Sequence, residues 1–241
     1  MLSDFLFIGS IAPVALLLWY IYKKDAHKEP PWQLCKSFLL GCAATVPICI
    51  VEIIVGFFVS TDSNEVGNGL GLFLSTLIGI GIIEELFKWL IVRFSNYNNI
   101  NFNESFDALV YAVFASLGFA VVENLMYVFL SVLNGVLASF VTLIARFITA
   151  VPGHFFFGIS MGYFFAKAKK AQVEQNRPHE VRYLILSILV PSFIHTIYDY
   201  LLLAGTNDGI VIWLTLLVVC YIVAIKLIKR SSKENVVLTQ Q

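Results

Sequence analysis

Gly79-Ile80-Gly81-Ile82-Ile83-Glu84-Glu85-Leu86-Phe87-Lys88-Trp89 sets two adjacent carboxylates and a lysine inside a run otherwise apolar enough to cross a membrane. A charge at the centre of a bilayer costs roughly 2.5–3.5 kcal/mol on insertion scales. These groups therefore need partners, a wet cavity or a bound cation. On a helix, Glu84 and Lys88 are i,i+4 neighbours and Glu85 and Lys88 are i,i+3 neighbours, so either carboxylate can pair with the ammonium. One pairing leaves a spare carboxylate. The plain alternative is a buried ion pair with a purely structural role.

Composition puts this stretch in a membrane. The chain is 59% hydrophobic and 13% charged, against about 25% charged for a soluble domain. Lys+Arg and Asp+Glu are equal at 16 each, so nothing points to nucleic acid. Cys35, Cys42 and Cys49 recur every seventh residue along one expected helix. That is about 10 Å per step, too far for a disulfide within the helix. The cysteines form no metal or redox motif and are read as small apolar packers.

Working outward, hydrophobic segments run approximately over 4–22, 35–60, 69–94, 106–130, 132–149, 151–167, 183–204 and 209–229. Most reach the roughly 20 apolar residues that a spanning helix needs. The first lacks a basic leader and is followed directly by Lys23-Lys24, so it is read as an uncleaved span. Basic residues mark cytoplasmic loops. They cluster at Lys23, Lys24 and Lys28, at Lys167, Lys169, Lys170, Arg177 and Arg182, and at Lys226, Lys229, Arg230 and Lys233. The loop Thr61-Asp62-Ser63-Asn64-Glu65 has no cation. This predicts an N-terminus outside, a C-terminus in the cytoplasm and an odd number of crossings. Eight segments conflict with that parity, and the conflict falls on 132–167, which must make one net crossing. Segment 132–149 carries Arg146 and is followed by Pro152. It is expected to be a re-entrant or interfacial helix, or the outer part of a bent long helix, with eight full spans as the alternative. The expected fold is all-α: a polytopic transmembrane helical bundle with 7–8 membrane segments, one domain over 1–241 with its motif core at about 79–200.

Deep polar residues recur in the other segments. They are Glu52, Glu123-Asn124, Arg146, His154, and the pair His195 and Asp199. At 1.5 Å per residue, Glu84, Glu123, His195 and Asp199 lie roughly 18–26 Å from the ends at which their segments enter, and His154 close to the outer surface. Glu52, Glu84, Glu85, Glu123 and Asp199 outnumber the deep cations Lys88 and Arg146 by three. That excess requires protonated carboxyls, charged histidines or a bound cation. His195 and Asp199 are i,i+4 on one face, so the carboxylate can fix the imidazole's tautomer. Taken singly, each of these is also explained as an interhelix hydrogen bonder. Together they suit amide hydrolysis, with a carboxylate taking a proton from water and a histidine or metal polarising the carbonyl. There is no His-Glu-x-x-His, and no Gly-x-Gly-Asp accompanies an aspartate pair. Serine rhomboid and aspartyl presenilin chemistries are not expected. Gly158 and Gly162 form a Gly-x-x-x-Gly pattern and predict a close helix contact.

These residues resemble the PrsW family of bacterial intramembrane proteases. The resemblance is carried by Tyr22-Lys23-Lys24-Asp25 with Lys28-Glu29-Pro30, by Glu84-Glu85-Leu86-Phe87-Lys88, and by Asp107, Tyr111 and Gly118-Phe119-Ala120 followed by Glu123-Asn124 and Tyr127. Arg146 with His154, and His195 with Asp199, complete it over residues 22–199. Ala108 and Ala112 stand where family glycines are expected. The resemblance implies a core like that of the CAAX prenyl endopeptidases and the scaffold subunit APH-1. It implies Glu84 or Glu85 as the base, His154 and His195 as catalytic or ligating groups, and Glu123 as part of the site. Lys88, Asn124, Arg146 and Asp199 would support them. A metal, most plausibly zinc, would draw on Glu84, Glu123, His154 and His195, against an equally weighted metal-free mechanism. The implied substrate is a single-span anti-sigma factor, cut at site 1 to start release of an extracytoplasmic-function sigma factor. A non-catalytic scaffold, a CAAX or bacteriocin-immunity-type membrane protease with another substrate, and an ion or proton carrier are the alternatives.

Overall fold

The structure is a computed structural model and describes residues 2–62, 64, 67 and 69–238. Ser63 and Glu65 of the cation-free loop lie outside the described residues.

Eight long helices carry the chain. They are α1 (Leu2–Lys24), α2 (Pro31–Gly56), α3 (Leu70–Asn96), α4 (Asp107–Leu130), α5 (Val136–Ile148), α6 (Ala150–Val173), α7 (Arg177–Leu203) and α8 (Asn207–Lys233). Counting α5 and α6 as one path, Val136–Val173, the described residues contain 7 helices long and apolar enough to span a membrane. The only strand-like pairing among them is an isolated bridge between Glu104 and Val237. Phe57, Phe58, Leu133, Leu137 and many other large apolar side chains face outward, as a lipid-facing surface requires.

The conflict in the span count is resolved at Pro152. A proline lacks the N–H that would bond the carbonyl four residues back, and its ring clashes with that carbonyl. Four residues before Pro152 is Ile148, where α5 ends. Thr149 breaks the path at φ −125°, ψ −68°. The freed Ile148 carbonyl accepts the Tyr221 hydroxyl. Pro152 itself falls in the first turn of α6, where no N–H is missed. With 13 residues, α5 is about 20 Å long and too short to span. It runs beside α1 and α4, with Leu143 packed on Leu6 and Val128. Segment 132–149 is thus the first limb of a bent helix and not an eighth span.

The central helix is α4. Its most apolar window is 56% buried, against 22–39% for the other spans. It packs on α1, α2 and α6, and α6 packs in turn on α7. Close approach is set by small residues, since lipid offers no hydrophobic drive between helices. A Cβ on Gly162 would meet Ala108 O and Leu109 Cα at 2.6 Å, and one on Gly158 would meet Val113 Cα at 3.0 Å. The expected Gly-x-x-x-Gly contact is the α6–α4 seam. Ala108 and Ala112 are fully buried in that seam, with the glycines opposite supplying the space.

Candidate active site

Four helices converge on the charges of α3. That helix departs from α geometry at Leu77–Gly81, a single π turn immediately before the Glu84-Glu85 turn; such turns recur at functional sites. Gly81 ends it. A Cβ there would stand 2.3 Å from Thr196 Oγ1 and 2.9 Å from Ser192 O, so glycine lets α3 approach α7 one turn before Glu85. His195 is delivered by that approach.

Lys88 is fully buried. Its ammonium donates to Glu84 Oε2 at 3.0 Å, to Glu85 Oε1 at 2.8 Å and to His154 Nδ1 at 3.1 Å, and lies 4.3 Å from the Phe119 ring centroid. His154 Nε2 is 2.9 Å from Glu123 Oε2. The same oxygen accepts from Arg146 at 2.7 Å, while Arg146 Nε donates to Asn124 Oδ1 at 3.0 Å. Asn124 in turn donates to Ser10 O at 2.9 Å, tying the site to α1. On α7, His195 Nδ1 is 3.0 Å from Glu85 Oε1, and Nε2 is 3.2 Å from Asp199 Oδ2 and 3.9 Å from Glu84 Oε2. The spacing of four between His195 and Asp199 does give a contact. Phe157 stacks on the His195 ring at 4.5 Å between centroids.

Every residue expected at the site is therefore present in one network: Glu84, Glu85, Lys88, Glu123, Asn124, Arg146, His154, His195 and Asp199. Glu52 lies within electrostatic reach of Glu84 and Glu123, and its Oε1 is buried without a hydrogen bond, as is Oε2 of Glu85. The excess of carboxylates read from the sequence is thus a local excess. A cavity of about 330 Å³ opens over Glu84, Glu123, Arg146, His154, His195 and Asp199. Glu85 is fully buried beneath it. Two points in the sequence reading change. His154 was expected close to the outer surface, but the 13 residues of α5 precede α6 on the same path, and His154 is buried against Lys88 of α3. The exclusion of a serine nucleophile also passed over Ser160, because Gly158-Ile159-Ser160-Met161-Gly162 matches Gly-x-Ser-x-Gly. Ser160 sits mid-helix in α6. It is not on the strand-to-helix turn that a nucleophile elbow needs, and none of the histidine contacts described above involves it.

Sequence reasoning gave the cavity's aromatic wall no role in the site. Tyr127 carries the Arg146 guanidinium 4.2 Å from its ring centroid. Tyr198 and Trp213 line the same cavity. Tyr127 was among the residues of the resemblance, but aromatic residues are too frequent in this chain, with 21 Phe and 10 Tyr, for Tyr198 or Trp213 to stand out without coordinates.

The donor set fits a metal ion. Glu84, His154 and His195 each offer one ligand atom, and those atoms lie within 4.8 Å of one another. Two imidazoles and a carboxylate with a fourth position open are the donors of catalytic zinc sites.

A bundle of membrane-spanning helices holding glutamates and histidines over a buried cavity defines the class: a multi-pass membrane hydrolase. Residues 29–228 match the PrsW family, described as PrsW family intramembrane metalloprotease, and the chain belongs to that family. It is 32% identical over 229 residues to Protease PrsW of Oceanobacillus iheyensis, covering 95% of this chain and 97% of that protein. It is 34% identical over 200 residues to Protease PrsW of Bacillus subtilis, 83% of each chain. To Protease PrsW of Geobacillus kaustophilus it is 35% identical over 202 residues, 83% of this chain and 81% of that one. No solved structure matches the chain, so the likeness to CAAX-protease cores rests on sequence resemblance. The chain is an intramembrane protease acting on membrane proteins, and the scaffold and carrier alternatives give way to it.

Proposed function

We propose that this chain, acting as one transmembrane domain, makes the first cut in a single-span anti-sigma factor and so starts release of an extracytoplasmic-function sigma factor. The observation that carries the reading is the placement of Glu84 on the cavity, 3.0 Å from Lys88 and 3.9 Å from His195, in a chain of the PrsW family.

Glu84 is the base. It faces the cavity, where water and a peptide bond meet it, and it takes the water proton. Glu85 is a positioning residue, holding His195 Nδ1 and Lys88 from below. His195 is fixed by carboxylates on both ring nitrogens, and His154 by Lys88 and Glu123. Arg146, paired with Glu123 and lining the cavity, is placed to steady negative charge on the scissile carbonyl oxygen. Were Glu84, His154 and His195 to hold zinc, with Glu123 beside His154, the ion would supply the polarisation of that carbonyl and the acidity of the attacking water, and Glu84 would serve as a ligand in place of the free base.

The N-terminus lies outside and the C-terminus in the cytoplasm. The lysine- and arginine-rich ends of α1, α6 and α8 and the start of α7 support this. The cavity then lies toward the outer half of the membrane. The test is reconstitution in liposomes with candidate single-span substrates, with and without a chelator. Cleavage by wild type and none by Glu84→Gln is expected; a wild-type protein that cuts no anti-sigma factor but cuts another membrane substrate overturns the substrate assignment.

A further inference from the structure

The protease cavity has six walls. Helices α3 to α8 each put side chains on it, among them Glu84, Glu123, Arg146, His154, Asp199 and Trp213. Its volume of about 330 Å³ is at the small end for ligand pockets. It does not hold a helix, which is 10–12 Å across with its side chains. A substrate's membrane segment therefore has to unwind, and a seam between two walls has to part, before a peptide bond reaches Glu84.

The seams differ in how they are tied. Arg146 joins α5 to α4, through Glu123 at 2.7 Å and through the Tyr127 ring, 4.2 Å to its centroid. The approach of Gly81 to Thr196 joins α3 to α7. There Phe73 also meets Phe193 and Tyr200 edge-on, with centroids 5.9 and 5.7 Å apart. Helix α2 packs on both α3 and α4 and so covers the seam between them. The 204–206 connection joins α7 to α8, and Tyr198 packs on Trp213 with centroids 5.4 Å apart. The seam between α5 and α8 has no comparable tie. Helix α5 packs on α1, α4 and α6, whereas α8 packs on α6 and α7. Of its own residues α5 buries only Ser139 and Leu143. Across this seam, among the described residues, the hydrogen bond is the one from the Tyr221 hydroxyl to the Ile148 carbonyl.

The same seam carries what an unwound chain lacks. Backbone N–H and C=O groups that leave a helix inside a membrane have no water to bond and need partners. Ile148 O has lost its helical donor to Pro152, and it stands one residue before Thr149 on the cavity lining. Trp213 lines the cavity from the α8 side, and its Nε1 is buried with no hydrogen-bond partner.

We infer that the substrate's membrane segment enters the cavity laterally between α5 and α8, and that Tyr221 latches this entrance. Release of the hydroxyl frees the Ile148 carbonyl to accept a backbone amide of the entering chain. Trp213 Nε1 donates to one of its carbonyls. Tyr221 is thus a positioning residue, acting through Ile148. The inference rests on intramembrane proteolysis and not on which substrate is cut.

The test is Tyr221→Phe, which removes the hydroxyl and keeps the ring. Cleavage is compared on a single-span substrate in liposomes and on a short water-soluble peptide spanning the same bond, which has no need to enter from lipid. On the single-span substrate kcat/KM should rise roughly 2–10-fold, the worth of one hydrogen bond. The peptide should be cut at the wild-type rate. Spin labels at Ile144→Cys and Val218→Cys report the seam without any substrate. Both positions are exposed, one on each helix, and the four native cysteines are replaced by alanine. Their distance distribution should lengthen and broaden in Tyr221→Phe. A fall or no change on the single-span substrate, or an equal change on both substrates, overturns the latch. An unchanged distance distribution overturns the entrance. A wild-type chain that cuts neither substrate counts against the proteolytic reading, and the distances then decide the seam alone.

Discussion

Lys88 Nζ lies 3.1 Å from His154 Nδ1, and this contact fixes the histidine's tautomer. An ammonium has donors only, so Nδ1 must accept, and the ring proton belongs on Nε2, where it donates to Glu123 Oε2 at 2.9 Å. Each nitrogen of His154 is thus engaged by an opposite kind of partner. A metal reaching Nε2 must displace that proton, so loading the site releases a proton and leaves Glu123 free to pair with Arg146 alone.

Replacing Glu84 or Glu85 by alanine is expected to abolish cleavage while the protein still inserts and accumulates. General-base catalysis contributes on the order of 10²–10⁴ in rate. Isosteric Glu84→Gln should lose at least the lower figure. Wild-type rates in both alanine variants, measured on reconstituted protein, would remove these residues from the reaction.

Lys88→Met should fail at folding and not only at catalysis. It strips the common donor from Glu84, Glu85 and His154 at a fully buried position. Leaving buried charge uncompensated costs about 3–5 kcal/mol. The yield of membrane-inserted protein and its melting temperature check this; unchanged values for both would mean that the carboxylates find other compensation.

Gly162→Ala is expected to destabilise by about 1–3 kcal/mol, since its Cβ would press on α4 backbone at 2.6 Å. Gly56→Ala is the control, because a Cβ there meets nothing within 4 Å. Thermal unfolding of the pair in one detergent should separate them. Equal midpoints would show that the α4–α6 seam relaxes.

Purified wild-type protein is expected to carry about one equivalent of zinc by elemental analysis, and a strong chelator should stop cleavage. His195→Ala should lose both metal and activity, since His195 is one of the three clustered donors. Metal below about a tenth of an equivalent, with activity indifferent to chelators, would leave the glutamate–histidine mechanism to act alone.

The sequence by itself determined the membrane setting, the α-helical class and the chemistry. Hydropathy over about 20 residues is a local property. The cost of a buried charge makes Glu84, Glu85, Lys88, Glu123 and Asp199 conspicuous wherever they later pack. The pairing of His195 with Asp199 was legible because spacing of four fixes a helix face. The count of carboxylates over cations was legible because charge needs no coordinates.

What the sequence left open depended on contacts between distant segments, which carry no local signal. Only packing decided that Glu84 borders the cavity and that Glu85 lies beneath it, since adjacent residues on a helix differ by about 100° in direction. Only packing paired Arg146 with Glu123 and Lys88 with His154, across sequence separations of 23 and 66. The break at Thr149 lies between these cases. Proline supplied the reason locally, but whether α5 crossed, re-entered or leaned on α1 was decided by where Leu143 found Leu6 and Val128.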